Sequence, residues 1–218
     1  MTAPATLIIG NKNYSSWSLR AWLVLRHFEV PFDERRLSLD TDAFQREVGD
    51  YSPTRRVPAL IHGAVTVWDS LAIAEYANET WLGGRGWPPD AEARAVARAV
   101  SAEVHSGMQA LRDACPMDLT REAPIGSLPE PAGRDVARVL ALWRDCRRRY
   151  GAGGAFLFGA FGIADAFYAP MATRFRSYAL QCGEEEQRYV AALYALPAMR
   201  QWCAEAAQET ERIDPYAS

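Results

Sequence analysis

A glycine- and proline-rich segment divides this chain into two stretches with different apolar periodicities. Residues 82–90 read LGGRGWPPD, and three glycines with two prolines in so short a segment stop a helix from propagating. Before this segment the apolar pattern switches repeatedly between the periods of a strand and of a helix, whereas after it the pattern is almost purely helical. We therefore predict one domain at residues 1–82, a linker at 83–90 and a second domain at 91–218.

The first stretch is typical of a small α/β unit. TLIIG at residues 6–10 indicates a buried strand and its exit turn, and residues 15–28 place apolar side chains on one helical face. A second strand and a short helix follow. Pro58 then precedes the strand-like residues ALI, Gly63 fits a hairpin turn into a fourth strand, and Asp69 can cap a final helix. The predicted order is β-α-β-α-β-β-α.

The second stretch predicts helices only. Residues 91–115 and 133–150 form two long amphipathic patterns, and a glycine-rich break separates them from a helix at residues 163–178 and two shorter ones. This predicts an all-α bundle of five helices. The chain length of 218 residues is compatible with two domains of these sizes.

Composition and charge exclude several classes of protein. With 49% hydrophobic and 23% charged residues, the chain has the balance of a globular protein. Its 24 basic and 27 acidic residues leave a formal net charge of −3, so the basic excess of a nucleic-acid-binding surface is absent. The four cysteines show no spacing typical of a zinc site or of a disulfide framework. No secretory signal or membrane-length apolar run is recognisable, so we expect a cytoplasmic protein without a metal or a membrane partner.

Four short motifs in this order resemble the cytosolic glutathione transferase family, and the resemblance covers essentially the whole chain. They are NYSSWSLR at residues 13–20, RVPAL at 56–60, WDSLAI at 68–73 and FGIADA at 161–166. The resemblance implies a thioredoxin-like α/β N-terminal domain, an all-α helical-bundle C-terminal domain, a homodimer, and a glutathione site in the cleft between the domains. NYSSWSLR is most similar to the serine-type classes, particularly to the SSxS motif of the zeta class. The segment AEVHSGMQALR at residues 102–112 also resembles a bacterial branch of the family with unassigned substrates.

The serines before the first helix are the candidate catalytic residues. A free thiol is mostly protonated near neutral pH because its pKa is about 8.5, whereas the thiolate is the nucleophile. A hydroxyl that donates to sulfur at the positive end of a helix stabilises the anion. The resemblance assigns this role to Ser15, with Ser16 as the rival and the Tyr14 hydroxyl as a further candidate. Helix capping alone would also explain serines at these positions.

The RVPAL motif supplies the first set of expected glutathione contacts. The resemblance implies a cis Val57–Pro58 peptide that turns the backbone of Val57 toward the cysteinyl part of glutathione. Arg56 is the expected partner of the glycyl carboxylate, with Arg55 as an alternative, because a guanidinium binds a carboxylate with two hydrogen bonds. A trans proline at a strand start and a solvated pair of arginines are the structural alternatives.

The WDSLAI motif supplies the second set. The resemblance implies that the Ser70 hydroxyl and the helix it opens receive the γ-glutamyl carboxylate. Asp69 would accept a hydrogen bond from the γ-glutamyl ammonium, although most family members carry the longer Glu or Gln there. An ordinary Asp-Ser helix cap is the alternative.

Four residues are candidates for an electrophile pocket. His105, Met108 and Arg112 fall near one face of the predicted long helix, and in the family this face can border that pocket. Trp17 stands where the zeta class has a cysteine and could form a wall of the pocket. Core packing or a dimer contact is the alternative for each of the four.

The FGIADA motif predicts a structural role. In the family a Ser or Thr three residues before Asp165 caps the sixth helix, and the aspartate completes a capping box. Gly162 occupies that cap here and has no side-chain oxygen, so only the hydrogen bond to Asp165 is expected.

Together these features predict a glutathione S-transferase in which Ser15 activates the glutathione thiol for attack on a small hydrophobic electrophile. One alternative is a glutathione-dependent cis–trans isomerase of the maleylacetoacetate type, which the SSxS resemblance motivates. The other is a protein that binds glutathione or another ligand without turnover, or that serves as an interaction module. Glutathione is the expected co-substrate or ligand.

Overall fold

The N-terminal third of the chain forms the predicted α/β unit. The computed structural model describes residues 5–213. The elements follow the order β-α-β-α-β-β-α, with one turn of 3-10 helix, Val48–Asp50, after the second helix. They are β1 (Ala5–Ile9), α1 (Ser16–His27), β2 (Phe32–Arg36), α2 (Asp42–Glu47), β3 (Ala59–His62), β4 (Val65–Trp68) and α3 (Ser70–Thr80).

The four strands form one mixed sheet in the order β2-β1-β3-β4. Strand β1 runs parallel to β2 and antiparallel to β3, and β3 forms an antiparallel hairpin with β4. Because successive strand residues point to opposite faces, Leu7 and Ile9 pack in the main core while Ile8 packs in a smaller cluster with Phe44 and Val48. This is a thioredoxin-like arrangement, and the predicted fold class is confirmed.

The rest of the described chain is helical, with two differences from the prediction. Residues 91–115 are two helices rather than one, and the described residues of this region contain six helices rather than five. The helices are α4 (Ala91–Ser106), α5 (Gln109–Ala114), α6 (Glu130–Tyr150), α7 (Ile163–Ser177), α8 (Glu184–Ala195) and α9 (Pro197–Ala206).

The break between α4 and α5 has a local cause. Helix α4 ends where the Gly107 N–H donates to the carbonyl oxygen of Glu103, at a point where a Cβ would lie only 2.9 Å from that oxygen. Met108 then adopts the left-handed conformation, with φ 60° and ψ 35°, and is the N-cap of α5. Apolar spacing continues across this corner, which is why periodicity alone predicted one helix.

Helix α7 lies at the centre of the molecule. It is almost entirely buried, and α1 and α4 pack against it. Residues of α1, α7 and α9 therefore belong to one continuous core that joins the α/β unit to the helices. Trp202 on α9 adds a further contact between these two parts, because its indole N–H donates to the carbonyl oxygen of Lys12 over 2.9 Å.

Asp165 anchors the start of α7. Its carboxylate is fully buried and accepts hydrogen bonds from the Gly162 N–H at 3.0 Å, the Leu157 N–H at 3.0 Å and the Tyr189 hydroxyl at 3.1 Å. Gly162 caps α7 without a side-chain bond, as its residue type requires. Burial raises the pKa of Asp165 to about 6 even though all three partners donate to it.

Two further properties concern the part of the chain that the structure describes. Within residues 5–213, no helix combines the length and the apolar character needed to cross a membrane. The four cysteines are free; Cys115 and Cys146 are buried, and Cys182 and Cys203 are half-buried.

Candidate active site

A cavity of about 390 Å³ opens where the first turn of α1 faces the start of β3 and the junction of β4 with α3. All five predicted glutathione contacts lie on its wall together with one predicted pocket residue, Trp17. Two residues that the sequence analysis did not select also contribute, Thr54 and Trp68. The lining residues are Trp17, Thr54, Arg56, Val57, Pro58, Trp68, Asp69 and Ser70.

The junction of β4 with α3 presents two polar side chains with different roles. Asp69 is the N-cap of α3, and its Oδ1 accepts from the backbone N–H groups of Leu71 at 2.7 Å and Ala72 at 3.3 Å. Ser70 is buried, and its Oγ has no hydrogen-bond partner among the described residues. A buried hydroxyl without a partner at a cavity wall is costly unless a ligand or water completes it, so this wall fits a polar ligand.

The loop before β3 forms another part of the wall. The Val57–Pro58 peptide is cis, as the family resemblance implies. Arg56 is exposed and lines the cavity, whereas the guanidinium of the neighbouring Arg55 donates to the carbonyl oxygen of Gln45. Arg56 is therefore the arginine of this pair that is placed beside the cavity.

The two candidate serines are buried at the start of α1. Ser15 is the N-cap of the helix: its hydroxyl donates to the Ser18 hydroxyl over 2.7 Å and accepts from the Ser18 N–H over 3.4 Å. The Ser16 hydroxyl instead accepts from the guanidinium of Arg174 on α7 over 3.2 Å. Capping is thus an observed role of Ser15, and a catalytic role for either serine stays a prediction.

A cluster of three guanidinium groups lies behind Trp17. Arg20 and Arg112 face the Trp17 ring at 4.4 and 5.1 Å from its centroid, and Arg174 contacts Ser16. Arg20 and Arg174 are almost fully buried. Burial lowers the pKa of Arg20, and the charges of Arg112 and Arg174 lower it further. Burial and the charge of Arg112 likewise lower the pKa of Arg174 to about 9. Asp69 opposes the charge of Arg20 and Asp135 that of Arg112 only in part, because burial still lowers both pKa values, and such positive charge favours an anion nearby.

The three helical candidates for the electrophile pocket occupy different positions. His105 reaches across from α4 and places Nε2 3.0 Å from Oδ2 of Asp69, while its ring meets Trp17 edge to face. Arg112 donates to the carbonyl oxygens of Val104 and Gly107 and so braces the corner between α4 and α5. Met108 is buried at that corner. His105 and Trp17 are thus brought together beside Asp69.

Comparison with known proteins agrees with this geometry. Residues 14–80 match the family model of the glutathione S-transferase N-terminal domain. A solved structure of a glutathione transferase homologue from Burkholderia gl BGR1, with bound glutathione, superposes with a TM-score of 0.71 and 26% identity over 94% of this chain and 98% of that one. Residues 14–80 of this chain therefore carry an N-terminal domain of the glutathione S-transferase family. The family predicted from the four motifs is confirmed.

Curated relatives match this chain over shorter segments. A dichloromethane dehalogenase of Methylorubrum extorquens (strain DSM 6343 / CIP 106787 / DM4) is 43% identical over 61 residues, which are 27% of this chain and 21% of the relative. The maleylacetoacetate isomerase of Rattus norvegicus is 34% identical over 99 residues, 45% of this chain and 46% of that protein. The chain thus spans about half the length, or less, of these curated relatives.

Within this glutathione transferase fold, sequence reasoning missed four residues near the cavity for identifiable reasons. Trp68 directly precedes Asp69 in a motif already selected, and Thr54 lies two residues before Arg56. Arg20 was detectable as a charged residue on the otherwise apolar face of α1, three positions after Trp17. Arg174 lies more than 150 residues from Ser16, so no local pattern links the two.

Proposed function

We propose that this chain is a glutathione transferase that activates the glutathione thiol for attack on a small hydrophobic electrophile. The observation that carries the proposal is the meeting, in one cavity, of a buried Ser70 hydroxyl without a partner, the Arg56 guanidinium and the backbone of Val57. The solved structure of the Burkholderia gl BGR1 relative, which holds glutathione, supports the same assignment.

The wall of the cavity complements the charges of the tripeptide. Glutathione carries a carboxylate at each end and an ammonium beside one of them. In the proposed mode Arg56 binds the glycyl carboxylate, Ser70 and the start of α3 receive the γ-glutamyl carboxylate, and Asp69 accepts from the ammonium. Val57 pairs its backbone with the cysteinyl residue in a short strand-like contact. These contacts direct the sulfur toward the start of α1.

The N-terminus of α1 supplies the conditions that favour a thiolate. The helix dipole is positive there, and a hydroxyl donor adds a hydrogen bond that strengthens when the sulfur is charged. Ser15 is the proposed donor, exchanging its bond to Ser18 for one to sulfur. Ser16 is the rival, because it accepts from Arg174 and keeps its own hydrogen for a ligand.

Titration with glutathione tests the proposal. Trp17 and Trp68 line the cavity, so we expect saturable quenching of tryptophan fluorescence. Ultraviolet thiolate absorbance should show the pKa of the bound thiol about 1–2 units below that of free glutathione. Quenching without a lowered thiol pKa would favour a non-catalytic binding protein instead. The absence of saturable quenching would contradict glutathione binding in the cavity.

A second candidate function is glutathione-dependent cis–trans isomerisation of an unsaturated acid. The guanidinium groups of Arg20, Arg112 and Arg174 behind Trp17 favour an electrophile that carries a carboxylate. The similarity to the maleylacetoacetate isomerase of Rattus norvegicus supports this candidate. The two reactions differ in their products, since an isomerase releases glutathione unchanged and a transferase consumes it in a thioether.

We also propose that the protein acts as a cytoplasmic homodimer, with attack on hydrophobic electrophiles serving detoxification. Edge strand β4 exposes Val65 and Trp68, at 45% and 44% of their surfaces, and an apolar groove continues from them along α3. A second copy would cover this surface. Sedimentation should therefore give twice the 24.2 kDa chain mass, and Val65→Lys should shift the protein toward monomer. A wild-type monomer at micromolar concentration would contradict the dimer.

A further inference from the structure

His105 lies in a chain of hydrogen bonds that connects three elements across the cleft. Its Nδ1 lies 3.3 Å from Nη1 of Arg20 on α1, and its Nε2 lies 3.0 Å from Oδ2 of Asp69 at the start of α3. Arg20 has a second bond to the carbonyl oxygen of Val104 over 3.3 Å, which fixes its guanidinium relative to α4. His105 is thus the link between a buried cation and a half-exposed carboxylate.

The partners of His105 determine its tautomer. A guanidinium can only donate, so Nδ1 of His105 must be the acceptor and Nε2 must carry the hydrogen. The Nε2–H then donates to Asp69. The charged groups that face the ring are Arg20 on α1, Arg112 on α5 and Asp69, and the aromatic rings of Trp17 and Phe167 pack against it.

A neutral imidazole agrees with these surroundings. Burial and the charges of Arg20 and Arg112 lower the pKa of His105, against the opposing effect of Asp69. Protonation would place an N–H of the imidazolium against an N–H of Arg20, which removes that hydrogen bond. Both hydrogen bonds, from Arg20 to His105 and from His105 to Asp69, can therefore form only when the imidazole of His105 is neutral.

The two oxygens of Asp69 have separate tasks. Oδ1 is committed to the N–H groups of Leu71 and Ala72 as the cap of α3. Oδ2 accepts from His105 and has a second lone pair for a ligand. Asp69 also lines the cavity, with 43% of its side chain exposed. A cationic group of a ligand can therefore reach only the oxygen that His105 holds.

We propose that His105 is a positioning residue of the glutathione site: it holds Oδ2 of Asp69 in place for the ammonium of the γ-glutamyl residue. This inference rests on the proposed function. It explains how an aspartate, shorter than the Glu or Gln expected at this position, serves the ligand, because a residue of the helical domain fixes its carboxylate from the far side of the cleft.

Two variants of His105 separate its hydrogen bond to Arg20 from its hydrogen bond to Asp69. In His105→Gln the side-chain amide can still donate to Asp69, whereas in His105→Asn the shorter amide can reach Arg20 but not Asp69. His62→Asn is the matched control, since His62 contacts Tyr76 outside the cleft. Dissociation constants are measured for glutathione and for its analogue with a glutaryl group in place of γ-glutamate, which lacks the ammonium.

We expect His105→Asn to weaken glutathione binding about tenfold, the equivalent of one hydrogen bond to a partly exposed charged group. Binding of the analogue should stay unchanged, and His105→Gln should restore most of the affinity for glutathione. In the ligand-free wild type, nitrogen NMR of the imidazole should show the Nε2–H tautomer. Thermal unfolding of each variant verifies that it is folded.

Several outcomes would overturn the inference. Wild-type affinity for glutathione in His105→Asn would do so, as would equal loss for glutathione and the analogue, because that pattern marks a purely structural role. An Nδ1–H tautomer would contradict the hydrogen-bond chain. If the wild-type protein binds glutathione and the analogue equally well, this inference alone is contradicted. If the wild-type protein binds neither, both the proposed function and this inference are contradicted.

Discussion

Replacing Ser15 with alanine is expected to lower kcat/KM for glutathione conjugation about a hundredfold, the usual loss when one donor to a developing or resident anion is removed. Glutathione should still bind, because Arg56, Val57 and Ser70 remain in place. The pKa of the bound thiol should rise toward the value of about 8.5 for a free thiol. Ultraviolet thiolate absorbance across a pH series measures that rise, and steady-state kinetics measures the loss of turnover.

Ser15 also caps α1, so the test needs a control for stability. Loss of the cap costs about 1 kcal/mol with alanine and only a few tenths with glycine, so Ser15→Gly separates the catalytic effect from the structural one. Both variants should lose thiolate absorbance, although only alanine should lower the melting temperature. Ser16→Ala is the matched variant for the rival serine. If Ser15→Ala keeps the low thiol pKa and Ser16→Ala abolishes it, the thiolate partner is Ser16.

Replacing Asp165 with alanine is expected to lower the free energy of unfolding by about 4 kcal/mol. The N–H groups of Gly162 and Leu157 and the hydroxyl of Tyr189 lose their acceptor, and each buried donor left without one costs about 1–3 kcal/mol. Asp165→Asn keeps one acceptor oxygen and should lose about half as much. Chemical denaturation monitored by tryptophan fluorescence measures both changes.

The pH dependence of stability should identify the same carboxyl group. Its pKa is about 6 in the folded protein and about 3.9 in an unfolded chain, so the folded state binds the proton more tightly. The stabilisation from this proton is therefore complete below about pH 4 and is lost as the pH rises through about 6. The unfolding free energy of the wild type, relative to Asp165→Asn, should fall across that window.

Asp145 provides the comparison for Asp165. It lies on the exposed surface of α6, where Arg148 and Arg149 donate to it and lower the pKa of its carboxyl. Asp145→Asn should leave the unfolding midpoint nearly unchanged. A loss in Asp145→Asn as large as that in Asp165→Asn, or a flat pH difference for Asp165→Asn, would contradict the role assigned to Asp165 at the start of α7.

The fold was largely predictable because its signals are local. Residues 6–10 and 15–28 carry the periods of a strand and of a helix, and the glycines and prolines of residues 82–90 mark the change to helices. The corner between α4 and α5 escaped prediction. It depends on the close approach of Gly107 to Glu103 and on the left-handed conformation of Met108, which interrupt the helix without interrupting its apolar spacing.

The candidate site was predictable where its residues belong to one motif. Val57 and Pro58 are neighbours of Arg56, and Ser70 follows Asp69, so each pair could be selected as a unit. The residues that contact these motifs from distant helices could not be predicted. Arg174 meets Ser16 and His105 meets Asp69 only because α7 and α4 pack against the α/β unit.

The sequence by itself predicted the change from an α/β unit to helices around residues 82–90, the resemblance to the glutathione transferase family and the short motifs of the cleft, because periodicity, turn residues and motifs act over a few residues. Only the tertiary structure decided which charges surround the start of α1 and which oxygen of Asp69 stays open to a ligand. Those properties depend on distance and burial between helices far apart in the chain. Packing of the core, rather than any local preference, determines both the charges around the start of α1 and the free oxygen of Asp69.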